Sequence, residues 1–257
     1  MMGAILAIAA NTIREGRRQK VFYAILFFAI AMILLGVAFS GMSAEDFDRI
    51  LRNVGAGAIS FFGVLLAIFL GVGMVSREVD RRTVYTVVTK PVPRSAFIVG
   101  KFLGLMGILA VTLGIMFLCH IAVLGIFGDA ITFGPLAWHL VLTLVKLGVV
   151  VAFAILLSTF TTSALAAFCT VGLYLIGAAS SSLYYFGQRS DMALARTLSS
   201  AIYYGLPNFE RFNVTHAVTY AYSIDGAVIG LALLHGVLFC GAFLVLAALV
   251  FERRDLK

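Results

Sequence analysis

Six stretches of this chain are so apolar and so long that they read as helices crossing a bilayer: residues 21–39, 54–75, 102–127, 136–157, 164–183 and 224–251. Each is near or above the roughly 20 residues that span a hydrocarbon core. In lipid every backbone N–H and C=O must be bonded within the protein, so spans of this composition are helical. The chain is 62% hydrophobic and only 12% charged, with a mean hydropathy of +1.06. Soluble domains carry about a quarter of charged residues. The four prolines, Pro91, Pro93, Pro135 and Pro207, fall outside the interiors of the spans, so six unbroken helices are expected. The fold class is therefore all-α and polytopic, a single membrane domain over residues 1–257. No repeat relates its halves, which argues against the duplicated bundles common in secondary carriers.

Charge sets the orientation. With the N-terminus inside, only Arg49, Arg52, Arg189, Arg196 and Arg211 fall on the outer side, while most of the 19 Lys and Arg collect inside, at residues 14–20, 76–101 and the C-terminus. That bias predicts cytoplasmic termini. The formal charge of +7 belongs beside apolar runs and not to a nucleic-acid face, so no nucleic-acid partner is expected. In residues 1–20, Ile5, Ile8, Ala9 and Ile13 share a helical face and Arg14, Arg17 and Arg18 follow, which suits an interfacial helix with its cations among anionic headgroups; a disordered start is the alternative. The apolar part precedes the charges, the reverse of a secretory signal, so the segment is expected to remain on the mature protein. Cys119, Cys169 and Cys240 lie inside apolar segments without paired spacing, which indicates neither a disulfide framework nor a zinc site.

Residues 76–101, SREVDRRTVYTVVTKPVPRSAFIVGK, interrupt the second and third spans with Arg77, Arg81, Arg82, Lys90, Arg94 and Lys101. Val84, Val87 and Val88 recur at helical spacing, so a short amphipathic helix is predicted, ended by Pro91 and Pro93. Ser95 suits the cap of a helix that runs through Ala96, Phe97 and Ile98 into the third span. A charged stub studded with valines offers a docking face to another protein, although a basic loop that merely anchors the inner side would look similar.

An acidic residue, a threonine a few positions on, then a proline, a basic residue and a Gly-Lys pair resemble the first intracellular loop of type-2 ATP-binding-cassette exporter permeases. Here those positions are Glu78, Thr83, Pro91 or Pro93, Arg94, and Gly100 with Lys101. The number of spans and the segment LPNFERF from Leu206 extend the resemblance over most of the chain, which is also similar to permeases linked to multicopper enzyme maturation. The family often has glycine before the threonine, where this chain has Arg82. The resemblance implies an N-terminal elbow helix at 1–20, a coupling helix within 76–101 and short re-entrant helices in the outer segment 184–223. It implies that two copies, or one copy and a homologue, enclose a path lined by the second and fifth spans. Cytoplasmic cassette ATPase subunits, carrying ATP and Mg, would drive it through Glu78, Arg81, Arg82, Thr83, Val84, Val87 and Val88. There the charges steer the partner and the valines fill its groove. The implied place is the plasma (inner) membrane, surrounded by lipid, with an accessory protein on the periplasmic or extracellular side as a further partner.

Lys146 falls near the middle of the fourth span, where a cation costs roughly 2.5 to 3.5 kcal/mol to insert. The Leu, Val, Ile and Phe residues between positions 140 and 157 return together roughly 4 to 8 kcal/mol, so the helix inserts regardless. Its ammonium must face protein, a wet cavity or a carbonyl; a transport role and a satisfied structural group both fit. STFTTS at 158–163 predicts a tight turn, and Thr170, Tyr174, Ser180, Ser181 and Ser182 make the fifth span one for close packing or contact with water. Residues 184–223 hold Tyr184, Tyr185, Tyr203, Tyr204, Tyr220 and Tyr222, six of the nine tyrosines, which places this segment at the headgroup level. Met192, Ala195, Leu198 and Ile202 within it keep helical spacing.

Catalytic markers are missing. Gly100-Lys101 has Ser95 where a phosphate-binding loop needs its first glycine and no Ser or Thr after it, so no nucleotide or other cofactor is expected in this chain itself. Neither Gly-x-Ser-x-Gly nor His-Glu-x-x-His occurs. Met116, Cys119 and His120 form a soft-ligand set that could hold Cu(I), but three core-packing residues with a hydrogen-bonded histidine are the better account, so no metal is expected. Two rival functions stay open: a carrier or channel independent of any ATPase, and a membrane enzyme or anchor subunit.

Overall fold

Among the described residues ten helices follow one another. They are α1 (Met2–Arg17), α2 (Lys20–Ser40), α3 (Phe47–Asp80), α4 (Arg94–Phe127), α5 (Phe133–Ser158), α6 (Ser163–Ala178), α7 (Ser180–Gln188), α8 (Ala193–Gly205), α9 (Thr215–Tyr220) and α10 (Gly226–Arg253), with a 3-10 turn at Phe209–Phe212 before α9. The computed structural model describes residues 2–41, 46–80, 94–128 and 131–253, with the backbone alone at 74–80, 94 and 253. Among these residues α2, α3, α4, α5 and α10 are each long and apolar enough to cross a bilayer. The pair α6–α7 makes a sixth crossing if the two are taken as one span.

Lipid and protein interior are equally apolar, so packing decides which face of such a helix turns inward. The inward face of α2 is a single stripe, Phe22, Ile25, Ala29, Ile33, Gly36 and Ser40, while Phe27, Phe28 and Leu34 on its other side are exposed. The middle of the bundle belongs to α3 and α5, whose membrane windows are 61% and 67% buried against 22% for α2 and 11% for α10. Pro135 lies in the first turn of α5, where its missing N–H has no helical partner to lose. Val149, Val150 and Val151 then sit fully inside, β-branched residues held in a helix by their packing. Around this pair α2 packs on α3, α4 contacts both, α6 contacts both from another side, and α10 lies along α5.

The N-terminal helix is docked on the bundle. Its inner face meets α4 where Gly100, Gly104 and Gly107 leave room for Ile8, Thr12 and Ile13. Lys101 projects from the same part of α4 toward Glu15 of α1, 3.7 Å away, and its ammonium lies 5.9 Å from the Phe97 ring centroid. It is 1% exposed. Read from sequence as one of six loop cations, Lys101 is instead an interior residue that helps fasten α1, because the helix expected from Ser95 already begins at Arg94 and carries it into the packed region.

The fifth predicted span is not one straight helix. It stops at Ala178 and restarts at Ser180 with a bend of 56°, although no proline is present. The cause is the segment LPNFERF folding back against it. A β-carbon on Gly177 would lie 2.4 Å from the Pro207 carbonyl oxygen and 2.6 Å from the Phe209 ring, so the chain approaches α6 as closely as only glycine permits. Ser180 donates to the Gly177 carbonyl at 3.0 Å, bonding a group the interrupted helix leaves free. Asn208 locks the return: its side chain donates to Ser181 at 3.0 Å and accepts from the Glu210 N–H at 3.0 Å, and its backbone N–H donates to His235 of α10 at 3.2 Å. Phe209 and Phe212 are driven into the core beside Tyr174 and His235. The tyrosine-rich segment thus contains α7 and α8 before Pro207, then the 3-10 turn and α9. The connection at 158–163 is a tight turn, with Thr159 and Thr161 donating back to the Leu156 and Leu157 carbonyls.

Close packing at the α1–α4 contact yields a test. A β-carbon on Gly104 would meet Thr12 Cβ at 2.5 Å and the Ala9 carbonyl oxygen at 2.8 Å, neither of which yields easily, whereas one on Gly107 would meet only the end of Ile13 at 3.1 Å. Gly104→Val is expected to cost about 1 to 3 kcal/mol by overpacking and to lower the melting temperature of the detergent-purified chain by several degrees. Gly107→Ala should leave it within about a degree.

Candidate functional site

On α3, Asp48, Arg52, Ala56 and Ser60 follow at steps of four, so they stack along one face of the helix. On α5, His139, Thr143 and Lys146 form a matching stripe. Where the two helices meet, the stripes make a polar seam in an otherwise apolar bundle. At the end nearest the start of α3, Arg52 is ion-paired with Asp48. One turn deeper, His139 Nε2 lies 3.2 Å from the Ala56 carbonyl oxygen. A carbonyl can only accept, so Nε2 carries the proton in this contact and Nδ1 presents a lone pair. Another turn in, the Lys146 ammonium donates to the Ser60 hydroxyl.

The third wall is α4. Its His120 sits in the notch left by Gly55: a β-carbon there would fall 2.0 Å from Nδ1. Arg52 and His139 are the charged or titratable neighbours whose fields reach His120. The seam is closed off from the outside of the bundle, with His120 1%, His139 2% and Lys146 4% exposed. Several of its polar atoms have no hydrogen-bond partner in the protein, namely both ring nitrogens of His120, Nδ1 of His139 and the Thr143 hydroxyl. Among the described residues no carboxylate pairs with Lys146.

Inward of Ser60 the α3–α5 contact becomes apolar. A methyl on Gly63 would touch Leu147 at 3.1 Å and Leu113 at 3.3 Å, and one on Gly71 would touch Ala154 at 3.0 Å. Leu66, Ala67, Leu70, Val150, Val151 and Ile155 fill the interval. The polar half and the dry half divide near the middle of both helices.

The coupling residues inferred from sequence are placed only at their margin. Glu78 lies on the last turn of α3, with its backbone alone described. Arg81, Arg82, Thr83, Val84, Val87 and Val88 lie outside the described residues. Still, α3 continues past the expected end of its span at 75 to Asp80 without interruption, a rod of about 51 Å. Met116 is buried, Cys119 is only partly so, and His120 points into the Gly55 notch. Among the described residues no three His, Cys, Asp or Glu side chains gather as a metal site. A second charged feature lies at the end of α1, a cleft of about 770 Å³ lined by Asn11, Arg14, Glu15, Arg17, Arg18 and Tyr23.

A family model described as ABC-2 family transporter protein matches residues 6–256, nearly the whole chain. The chain belongs to the ABC-2 transporter family. Among curated proteins none matches it. As a permease of this type it is a multi-pass membrane transport subunit, in accord with its apolar helices.

Lys146 was legible in the permease sequence as a lone intramembrane cation. His139, Ser60 and the inward turn of Arg52 were not, since Arg52 reads as an outer-loop charge until α3 is seen to begin at Phe47. The available signal was polar spacing, Asp48, Arg52 and Ser60 on one helix and His139, Thr143 and Lys146 on the next.

The Gly55–His120 fit can be checked by compensation. Gly55→Ala must displace the imidazole and is expected to cost about 1 to 3 kcal/mol. Adding His120→Ala removes the obstacle, so the double variant should melt higher than additivity of the two single variants allows. Strict additivity would show that the ring does not occupy the notch.

Proposed function

We propose that this ABC-2 permease is the membrane-spanning half of an ATP-driven exporter, working as a dimer of two copies or of one copy and a homologue, and powered by separate cytoplasmic ATPase subunits. The observation that carries the reading is the uninterrupted run of α3 from the bundle centre to Asp80, at the threshold of the basic, valine-studded stretch. A continuous helix transmits displacement along its axis, because every backbone bond would have to yield before its length changed. Movement imposed on Glu78 and on residues 81–88 by an ATPase is thereby delivered to the face of α3 that contacts α5 and α6. The charges steer the encounter and Val84, Val87 and Val88 enter an apolar groove of the partner.

The bent pair α6–α7 and the LPNFERF return close the opposite end, so an exported molecule would leave past elements locked by Asn208. The plasma membrane is the expected location, with both termini cytoplasmic, as the distribution of Lys and Arg favours. The cleft at Arg14, Arg17 and Arg18 then faces the inner leaflet and receives anionic headgroups.

Val87→Asp tests the coupling role. The change places a carboxylate in the apolar contact while leaving every span intact, so membrane insertion is expected to be normal. Co-purification with the ATPase should fall at least tenfold and nucleotide-dependent transport should be lost. Retained association together with normal transport would remove the docking helix from the mechanism.

A further inference from the structure

The polar seam between α3, α4 and α5 has a second use that export alone does not demand. Its unpartnered atoms are of both kinds: donors at the Thr143 hydroxyl and at one His120 nitrogen, and acceptors at His139 Nδ1 and the other His120 nitrogen; the Lys146 ammonium, bonded to Ser60, has further N–H groups to donate. An anion would satisfy only the donors and a metal ion only the acceptors. Water satisfies both, and buried polar groups of this density are where ordered water resides. The groups are also spaced for it, since Asp48 to Ser60 spans about 18 Å of helix with a polar contact at each turn.

The seam has a mouth and a floor. Side-chain exposure falls from 26% at Asp48 to 9% at Arg52 and then nearly to nothing at the histidines. Beside the mouth lies a polar cleft of about 270 Å³ lined by Asn53, Asn213, Thr215, His216, Thr219 and Tyr220. The floor is the apolar α3–α5 contact at Gly63, Leu113 and Leu147. No titratable group of the described residues breaks that floor. On the other flanks of α5, α10 brings Cys240, directed at the Gly148 carbonyl, and His235, engaged with Asn208, while α6 brings Tyr174 against Phe209.

We infer that the α3–α4–α5 seam is a water-filled half-path, open at the side opposite α1 and sealed toward α1, through which Lys146 binds and releases a proton. Release transfers one N–H proton from the ammonium to a seam water, leaving neutral amine, and the proton passes from water to water past His139 Nδ1 and His120 to the medium at Asp48. Naming that medium as the cell exterior rests on the orientation proposed above. The path itself does not.

Full-length chain in right-side-out and inside-out membrane vesicles, with Cys119, Cys169 and Cys240 replaced by alanine, provides the test. Lys146→Cys is treated with silver ion and its residual thiol is counted with maleimide after denaturation. Labelling is expected only from the side opposite α1, at a rate rising about tenfold per pH unit on that side below the thiol's own range, and indifferent to pH on the other. Val150→Cys, one turn into the dry half, should stay unreactive from both sides. Because removing the ammonium could itself empty the seam, the unaltered chain is also exposed to radiolytic hydroxyl radicals: oxidation is expected at His120 and His139 and not at Leu66. Unoxidised histidines, or labelling of Lys146→Cys from the α1 side or from neither, would overturn the half-path. Arg17→Cys, labelled separately, reports the side on which α1 lies; if that is the exterior, the orientation fails while the path stands.

Discussion

An ammonium group in the middle of a helix bundle has to be solvated by what the protein brings to it, and the meeting of α3 with α5 is built around that demand. Lys146 reaches across the interface to Ser60 because the small residues Ala56 and Gly63 on this face of α3 let α5 approach. The same closeness brings His139 to a backbone carbonyl and admits His120 at Gly55. If α3 were bulkier along this face, α5 would stand off and its cation would be stranded in an apolar medium, which costs several kcal/mol. The two most buried helices of the bundle are therefore joined by polar contacts in one half and by interdigitating aliphatic residues in the other.

That division gives the permease a mechanical character. The dry half of the α3–α5 contact, where Gly63 and Gly71 seat Leu147 and Ala154, is close-packed and resists sliding. The polar half is held by a few directional bonds, which can exchange partners without opening a void. A displacement entering α3 from its Asp80 end would thus be carried rigidly through the apolar half and released into the more adaptable seam beyond it. The LPNFERF return stands on that far side, and its hold on Gly177 and His235 links the broken span to α10.

How much of this could be read beforehand differs from element to element. Length and apolarity located α2, α3, α4, α5 and α10 to within a few residues at most of their ends, because in a bilayer no other backbone arrangement satisfies such segments. Turn chemistry located the break at 158–163, and helical periodicity found α8. The bend in the fifth span was missed since it has no local signature: Ala178 and Ala179 are good helix formers, and the interruption is imposed by Pro207 and Phe209, some thirty residues away in sequence. Lys101 was misread for a related reason, its burial depending on Glu15 and the docking of α1. Of the site, Lys146 could be singled out because charge inside a span is rare, whereas His139 and Ser60 are ordinary residues made notable only by what faces them.

The sequence by itself determined that this chain lives in a bilayer as a set of helices, and its motifs carried the family, since both depend on composition and short-range pattern alone. Tertiary structure decided which helices lie at the centre, where the fifth span breaks, and which polar groups share an interface. The reason is physical: side chains in lipid feel almost no difference between a neighbouring acyl chain and a neighbouring leucine, so hydrophobicity does not choose their partners. Shape does, through glycines and alanines whose value is visible only once the opposing surface is in place.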